Sequence, residues 1–272
     1  MHNSTKFSCL LCVYDKDDPN HFNECFESLS NQTLKAAEIL LIQDGPINAA
    51  LAEVIEKWSE VLPLRLIKND KNIGLGKSLN LGVQLCEYGL IARMDADDIC
   101  HPERFEKQVS FLDSHPEIAV VGSWIAEFQD SPENIVSYRK LPADPEDLFP
   151  FAKKRCPLNH PTVMFRKDAV LAVGNYDPYA NQQDYQLWAR LLMSGYKLAN
   201  IQESLLFMRV STALFKRRGG LKYGKIEFAV QRDFMRIGFI NRLEFVRNVI
   251  LRMFVRLLPN SFRKLFYKGF LR

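Results

Sequence analysis

Three carboxylates fall within four consecutive residues, Asp95-Ala96-Asp97-Asp98. Like charges this close repel one another and are costly to hold without a cation. Their hard oxygen atoms suit Mg²⁺ or Mn²⁺, usually shared with the phosphate oxygens of a substrate. A solvated acidic turn that caps the next helix is the competing explanation, and the four residues alone leave the two evenly matched. Two other motifs are excluded. An EF-hand loop fails because Ile99 stands at its fifth position and its glycine is missing. A phosphatase-type D-x-D-x-[TV] motif fails at Ile99 and lies too far from the first strand.

The elements that must position this cluster are legible as an alternation. Short β-rich apolar runs at Phe7–Tyr14, Glu38–Ile42, Leu64–Ile67 and Leu90–Met94 are separated by segments of helical length. Asn20–Ser30 places Phe22, Cys25, Phe26 and Leu29 at helical spacing, and Leu51–Trp58 and Lys77–Cys86 follow the same period. Strand–helix–strand units predict a parallel sheet with helices on its faces. Polar residues gather where those strands end: Tyr14-Asp15, Gln43-Asp44-Gly45 and the acidic cluster. That edge is where open α/β sheets bind ligands. A helix is expected from Pro102. Beyond residue 115 the pattern loosens: Ala119–Val121 and His160–Phe165 read as strands, 128–150 as a Pro- and acid-rich connection, and Asp184–Met193 as a helix.

The composition, 47% apolar and 25% charged over 272 residues, is that of a folded globular chain and excludes collagen, low-complexity disorder and a disulfide miniprotein. Its six cysteines form no framework, and Cys9 and Cys12 should point to opposite faces of one strand, so reduced core thiols are expected. No apolar run reaches the roughly 18 to 20 residues needed to cross a bilayer. The first run has no signal-peptide pattern and leads into Asp15-Lys16-Asp17-Asp18, so a cytoplasmic location is expected. The formal net charge of +4 hides a division. Residues 215–272 carry 15 Lys/Arg and 3 Asp/Glu, or +12, which leaves −8 on residues 1–214.

Five segments in register carry a resemblance. They are Phe7–Tyr14, Ser28–Thr33, Glu38–Gly45, Asn72–Asn80 (Asn-Ile-Gly-Leu-Gly-Lys-Ser-Leu-Asn) and Asp95–Asp98. Together they resemble the nucleotide-sugar half of glycosyltransferase family 2, whose members have the GT-A fold and invert the anomeric centre. Asn159–Arg166, Gly174–Asp177 and Gln183–Leu191 resemble its acceptor half. The resemblance is nearest to bacterial enzymes that build O-antigen, capsule or other exopolysaccharides. It implies an α/β chain with a mostly parallel central sheet. A GT-A domain would span residues 1–214, with the nucleotide-sugar half at about 1–115 and the acceptor half at 116–214. A basic helical extension would cover 215–272.

The same resemblance implies roles. Val13 and Tyr14 would contact the nucleotide, although Tyr14 reads equally well as an aromatic closing a strand. Asp44 would accept the uracil imide N–H, which favours a UDP-sugar donor; a turn-forming Asp-Gly-Pro competes. Gln43 replaces an acid common in the family. Asp97 would touch ribose or the metal shell, Asp98 would hold Mn²⁺ or Mg²⁺, and Asp95 would support the site or contact the donor sugar. Lys77 and Asn80 fall where the family contacts the donor, while Leu79 replaces a common arginine. Asp184 is the expected general base, a helix N-cap being the alternative, and Gln183 departs from the usual Glu-Asp pair. His160, Gln183, Trp188 and Arg209 are expected near the acceptor or a phosphate, His160 reading equally as a structural histidine.

The implied reaction is inverting, metal-dependent transfer of a sugar from a nucleotide-sugar to a polyprenyl-diphosphate-linked saccharide. The basic region, with an imperfectly amphipathic helix at 242–258, suits peripheral docking on the anionic cytoplasmic face of an inner membrane. No nucleic-acid motif accompanies its charge. A sugar nucleotidyltransferase is the alternative enzyme, but Asp15-Lys16-Asp17-Asp18-Pro19 stands where its Gly-rich basic phosphate loop belongs. A non-catalytic membrane or nucleic-acid adaptor on the same fold is the other alternative, and intact Asp97, Asp98 and Asp184 oppose it.

Overall fold

Four N-terminal apolar runs become strands of one sheet, and all but the third are buried on both faces, which requires helices on both sides. The computed structural model describes residues 5–177, 182–210 and 221–257. Strands β1 (Phe7–Val13), β2 (Glu38–Gln43), β3 (Leu64–Lys68) and β4 (Leu90–Arg93) alternate with helices α1 (Pro19–Ser30), α2 (Ala49–Ser59) and α3 (Leu75–Leu85). They pair in parallel in the order β3-β2-β1-β4. On β1, Phe7, Cys9, Leu11 and Val13 join the core beneath α1 and α2, whereas Leu10 and Cys12 face α3 on the other side. The two cysteines of the close pair thus lie on opposite faces, as the period of a strand requires.

The remaining strands extend the same sheet. After β5 (Ile99–Cys100) and helix α4 (Arg104–Ser114) come β6 (Ile118–Phe128), β7 (Ile135–Arg139), α5 (Pro145–Ala152), β8 (Met164–Arg166), α6 (Lys167–Ala172), α7 (Gln183–Met193) and β9 (Lys197–Arg209). Strand β8 runs antiparallel between β4 and β6, and β6 pairs in parallel with β9. The two halves expected from the sequence therefore share one continuous sheet. The stretch 128–150 is not a plain connection: it holds β7 and α5. His160–Thr162 is a short 3₁₀ turn rather than the start of a strand. Strand β6 is far longer than Ala119–Val121 because its polar residues are buried with partners. Glu127 accepts from Ser137 Oγ (2.7 Å) and Arg139 Nη2 (3.0 Å), and Ser123 N donates to Thr162 Oγ1 (3.0 Å).

Helices α8 (Leu221–Arg236) and α9 (Arg242–Leu257) close the described chain. They pack through Phe228 and Phe245, whose ring centroids lie 5.7 Å apart, and α8 reaches α7 through Phe234 against Tyr185 at 4.7 Å. The expected boundary at 214/215 and residues 216–218 and 258–272 lie outside the described residues.

One turn at the C-terminal edge of the sheet depends on glycine. Gly45 follows β2 with φ +92°, and a Cβ there would fall 2.5 Å from the backbone nitrogen of Asn72. Left-handed backbone and a clash with main chain would add together. Gly45→Ala should lower unfolding free energy by at least about 2 kcal/mol, measured as a reduced urea midpoint at unchanged slope.

Candidate active site

Strand β4 ends at Arg93, and the chain turns through Asp95, Asp97 and Asp98 before β5. One oxygen from each carboxylate lies within 4.8 Å of the others. Asp97 is exposed, Asp95 is half-buried and Asp98 is buried. Burial, followed by the charges of Asp95 and Asp97, pushes the Asp98 carboxyl well above the usual range. Desolvation and Asp95 likewise raise Asp97. This donor set fits a hard divalent cation: all oxygen, convergent, and disfavoured as bare anions.

Main chain and two buried cations hold the turn. Strand β5 pairs with the end of β9, Ile99 against Phe207 and Cys100 against Leu206. That pairing brings Arg209 N within 3.2 Å of Asp98 Oδ1, to which it donates. Beneath the turn, the Arg104 guanidinium is wholly buried. It donates to Arg93 O (2.7 Å) and Gln108 Oε1 (3.0 Å), and touches the sulfurs of Met94 and Cys100. Arg93 is buried and paired with Asp95, which holds it charged against the desolvation of its site. Its Nε and Nη1 have no hydrogen-bond partner among the described residues. The Arg209 side chain pairs with Glu24 and lies 4.7 Å over the Phe128 ring.

Asp17 adds a fourth carboxylate to this edge. Its Oδ2 accepts from Tyr14 N (2.9 Å). Burial raises its pKa to about 7 against that hydrogen bond, helped by the charges of Asp97 and Asp95. Asp44 is buried and organises the next loop. Its Oδ1 accepts from Ile73 N (2.8 Å) and Asn69 Nδ2 (3.1 Å), and its Oδ2 accepts from Gly74 N (2.9 Å). Those bonds deliver the chain to the start of α3, where Lys77 stands half-buried. Val13 is buried, and its carbonyl accepts from Asp44 N (2.8 Å). Tyr14 is exposed at the mouth of the same edge.

The residues expected on the acceptor side lie on α7 and the 3₁₀ turn. His160 Nε2 lies 2.9 Å from the Tyr176 hydroxyl, and its ring meets Trp188 edge-on at 6.2 Å. Burial first, then Arg93, drives the His160 pKa well below its usual value, so the ring is neutral at pH 7. Burial pushes the Tyr176 phenol up, while it senses Arg93, Asp184 and Asp95 together. Asp184 lies in the first turn of α7, where a helix favours negative charge, and is not its N-cap, which is Gln182. Its Oδ2 is 3.9 Å from Cys156 Sγ.

Two expected contacts are placed differently. Trp188 is fully buried, so it backs His160 instead of meeting a substrate. Asn80 Nδ2 donates to Tyr176 O (2.7 Å), and Asn80 O accepts from Asn175 Nδ2 (2.8 Å), which clamps α3 to the acceptor side. Gln183 begins α7 half-buried beside Asp184. Sequence reasoning missed Asp17, Arg93, Arg104 and Tyr176. The one signal for the arginines was a charge inside or just after an apolar run, which burial and pairing explain.

A family model described as "Glycosyl transferase family 2" matches residues 8–174. The amylovoran biosynthesis glycosyltransferase AmsE of Erwinia amylovora is 37% identical, covering 96% of this chain and 98% of its own. The Escherichia coli UDP-Gal:alpha-D-GlcNAc-diphosphoundecaprenol beta-1,3-galactosyltransferase is also 37% identical, covering 98% of this chain and 97% of its own. Among solved structures, S. aureus TarS 1–349 in complex with UDP-GlcNAc superposes with a TM-score of 0.71 at 14% identity, covering 98% of this chain and 76% of that one. The mannosyltransferase PcManGT of Pyrobaculum calidifontis, in complex with GDP-Man and Mn²⁺, gives 0.67 at 13% identity, covering 96% and 72%. These two likenesses establish a shared GT-A fold.

The native pKa of Asp98 lies above its unfolded value, so without a cation its ionisation opposes folding at neutral pH. That opposition fades as pH falls through the native pKa. Metal-free Asp98→Asn should therefore melt about 2–5 °C above the parent at pH 7.5, with the gap narrowing towards pH 5. Mn²⁺ should raise the melting temperature of the parent and not of the variant, as read by scanning calorimetry.

Proposed function

The chain belongs to glycosyltransferase family 2, and we propose that it moves a sugar from a UDP-sugar, with inversion, to a hydroxyl of a lipid-linked saccharide in bacterial surface polysaccharide synthesis. The observation that carries this reading is the convergent carboxylate cluster at the end of β4. The relatives' names support a UDP-linked donor, a diphosphoundecaprenol-linked acceptor and an exopolysaccharide product.

Inversion needs one base, placed across the sugar from the leaving group. Asp184 takes the proton of the acceptor hydroxyl as its oxygen bonds to the anomeric carbon and the bond from that carbon to the diphosphate breaks. Gln183 stands beside it where the family resemblance expects a second acid. Neutral His160, held by the buried Tyr176 hydroxyl, does not compete for that proton. Val13, Tyr14 and Asp44 bind or frame the nucleoside, Lys77 serves the diphosphate, and Arg209 adds positive charge beside it.

Asp97 and Asp98 would hold Mn²⁺ or Mg²⁺, with Asp95 supporting them or touching the sugar, and the ion would offset negative charge on the departing UDP. A Mn²⁺-containing neighbour of the same fold and the raised pKa values of the cluster support that assignment. The excess of basic residues after 215 supports work at the anionic cytoplasmic face of the inner membrane.

Incubation with UDP-sugars, Mn²⁺ or Mg²⁺ and a saccharide-diphosphate-lipid acceptor should release UDP. Asp184→Ala should lower kcat by about 10²–10⁴-fold, and Asp98→Ala should abolish the metal-dependent rate. UDP release that survives either change would sink the assignment of that residue.

A further inference from the structure

Helix α9 is turned against the usual sense. The side it presents to the body is polar at its centre. Asn248 is buried there, and its Nδ2 donates to Lys153 O (2.7 Å) and Gln231 Oε1 (2.9 Å). One turn later, Arg252 donates to Glu227 Oε2 (2.7 Å) and Lys154 O (2.9 Å). The opposite side carries Leu243, Val246, Ile250 and Leu251, which are 51–83% exposed. Val246, Ile250 and Leu251 lie three, seven and eight residues after Leu243, which places the four on one stripe. Exposed Arg247 lies within that stripe and exposed Arg242 at its start. A soluble helix buries such a stripe, so four exposed aliphatic side chains on one face mark a contact surface.

Charge decides what covers it. The hairpin's acids are turned away from the stripe or paired: Glu227 to Arg252, Glu244 to Lys153, and Asp233 to Arg236. Residues 258–272, outside the described residues, add four Lys/Arg and four aromatic residues with no acid. A second copy would bring two strongly basic regions together, whereas a bilayer with anionic headgroups offers apolar depth and opposite charge at once. We propose that the Leu243–Leu251 stripe of α9 is the face by which this protein seats on an anionic membrane. The proposal rests on the lipid-linked acceptor reading above and gives it an orientation. The Arg252 guanidinium lies 5.8 Å from the ring of Tyr185, the residue after Asp184. The Tyr185 hydroxyl donates to Ala152 O at the end of α5. The seated helix and the helix bearing the candidate base are thereby packed as one block, which holds the acceptor side of the cleft near the lipid surface.

Sedimentation of the full chain with phosphatidylglycerol-containing vesicles tests this, with phosphatidylcholine vesicles as the second arm. The parent should bind the anionic vesicles. Leu243→Ser/Ile250→Ser should weaken that binding by at least about tenfold, at unchanged melting temperature and unchanged UDP release on a short-chain soluble acceptor. Arg242→Gln/Arg247→Gln should weaken it and flatten its salt dependence. Three outcomes would overturn the proposal: no binding by the parent, equal binding by the stripe variant, or a dimer that the stripe variant dissociates while vesicle binding is unaffected. Stripe-dependent binding by a parent that releases no UDP on any acceptor would uphold the docking surface and overturn the transfer reading instead.

Discussion

The structure depends on keeping three like charges together at the end of one strand. Two carboxylates at the 4.8 Å limit of the cluster repel by roughly 3.5 kcal/mol at an effective dielectric constant of 20, and three pairs share the space. A turn left to itself would splay. This one is held from behind by Arg104, which takes the Arg93 carbonyl, and from the side by the β5–β9 pairing that aims Arg209 N at Asp98. The opposing force is thus met largely by backbone and by buried cations with few alternative positions. The cluster is preorganised for a cation and stays strained in its absence.

That arrangement explains why the chain cannot be cut into two independent halves at residue 115. Strand β9 lies in the later half, yet its last residues complete the acid turn. Helix α3 lies in the earlier half, yet Asn80 exchanges hydrogen bonds with Asn175 and Tyr176. Arg190 on α7 donates to the carbonyls of Val173 and Asn175 (both 2.6 Å), fixing the same segment from the other side. The segment 173–176 is therefore a hub that ties α3 to α7. A change on either side of the hub reaches the other through a few short bonds.

The first half of the fold was legible because each of its units is local: an apolar run, a polar turn, a helical period, repeated. Beyond residue 115 the determinants are nonlocal. Strand β6 carries Ser123 and Glu127 inside its buried length, and their partners Thr162, Ser137 and Arg139 come from other elements, so hydropathy understated it. The acid turn stood out because three carboxylates within four residues repel one another, whereas Asp184 was singled out only by the family resemblance. Arg93 and Arg104 did not, since a lone arginine reads as solvated until its carbonyl and carboxylate partners are placed. Trp188 shows the reverse: a motif position near a site was read as a contact, and packing buried the side chain.

Orientation of a helix about its own axis is the least legible property of all, and α9 shows why. Its sequence offers an aliphatic stripe and a polar side, and hydrophobic burial alone would turn the stripe inward. What turns it outward is specific. Asn248 and Arg252 meet two backbone carbonyls, at Lys153 and Lys154, together with Gln231 and Glu227. Those groups are acceptors that an aliphatic side chain would bury without a partner, at a cost greater than a net hydrogen bond returns. The apolar face is then left over by exclusion, with basic residues beside it and none of the hairpin's acids free to oppose an anionic surface. The same polar contacts that fix the helix run on to Tyr185 and hence to the turn bearing Asp184. Whatever surface takes up the stripe is therefore in mechanical contact with the acceptor side of the site, through side chains whose bonds leave little freedom for the helix to rotate.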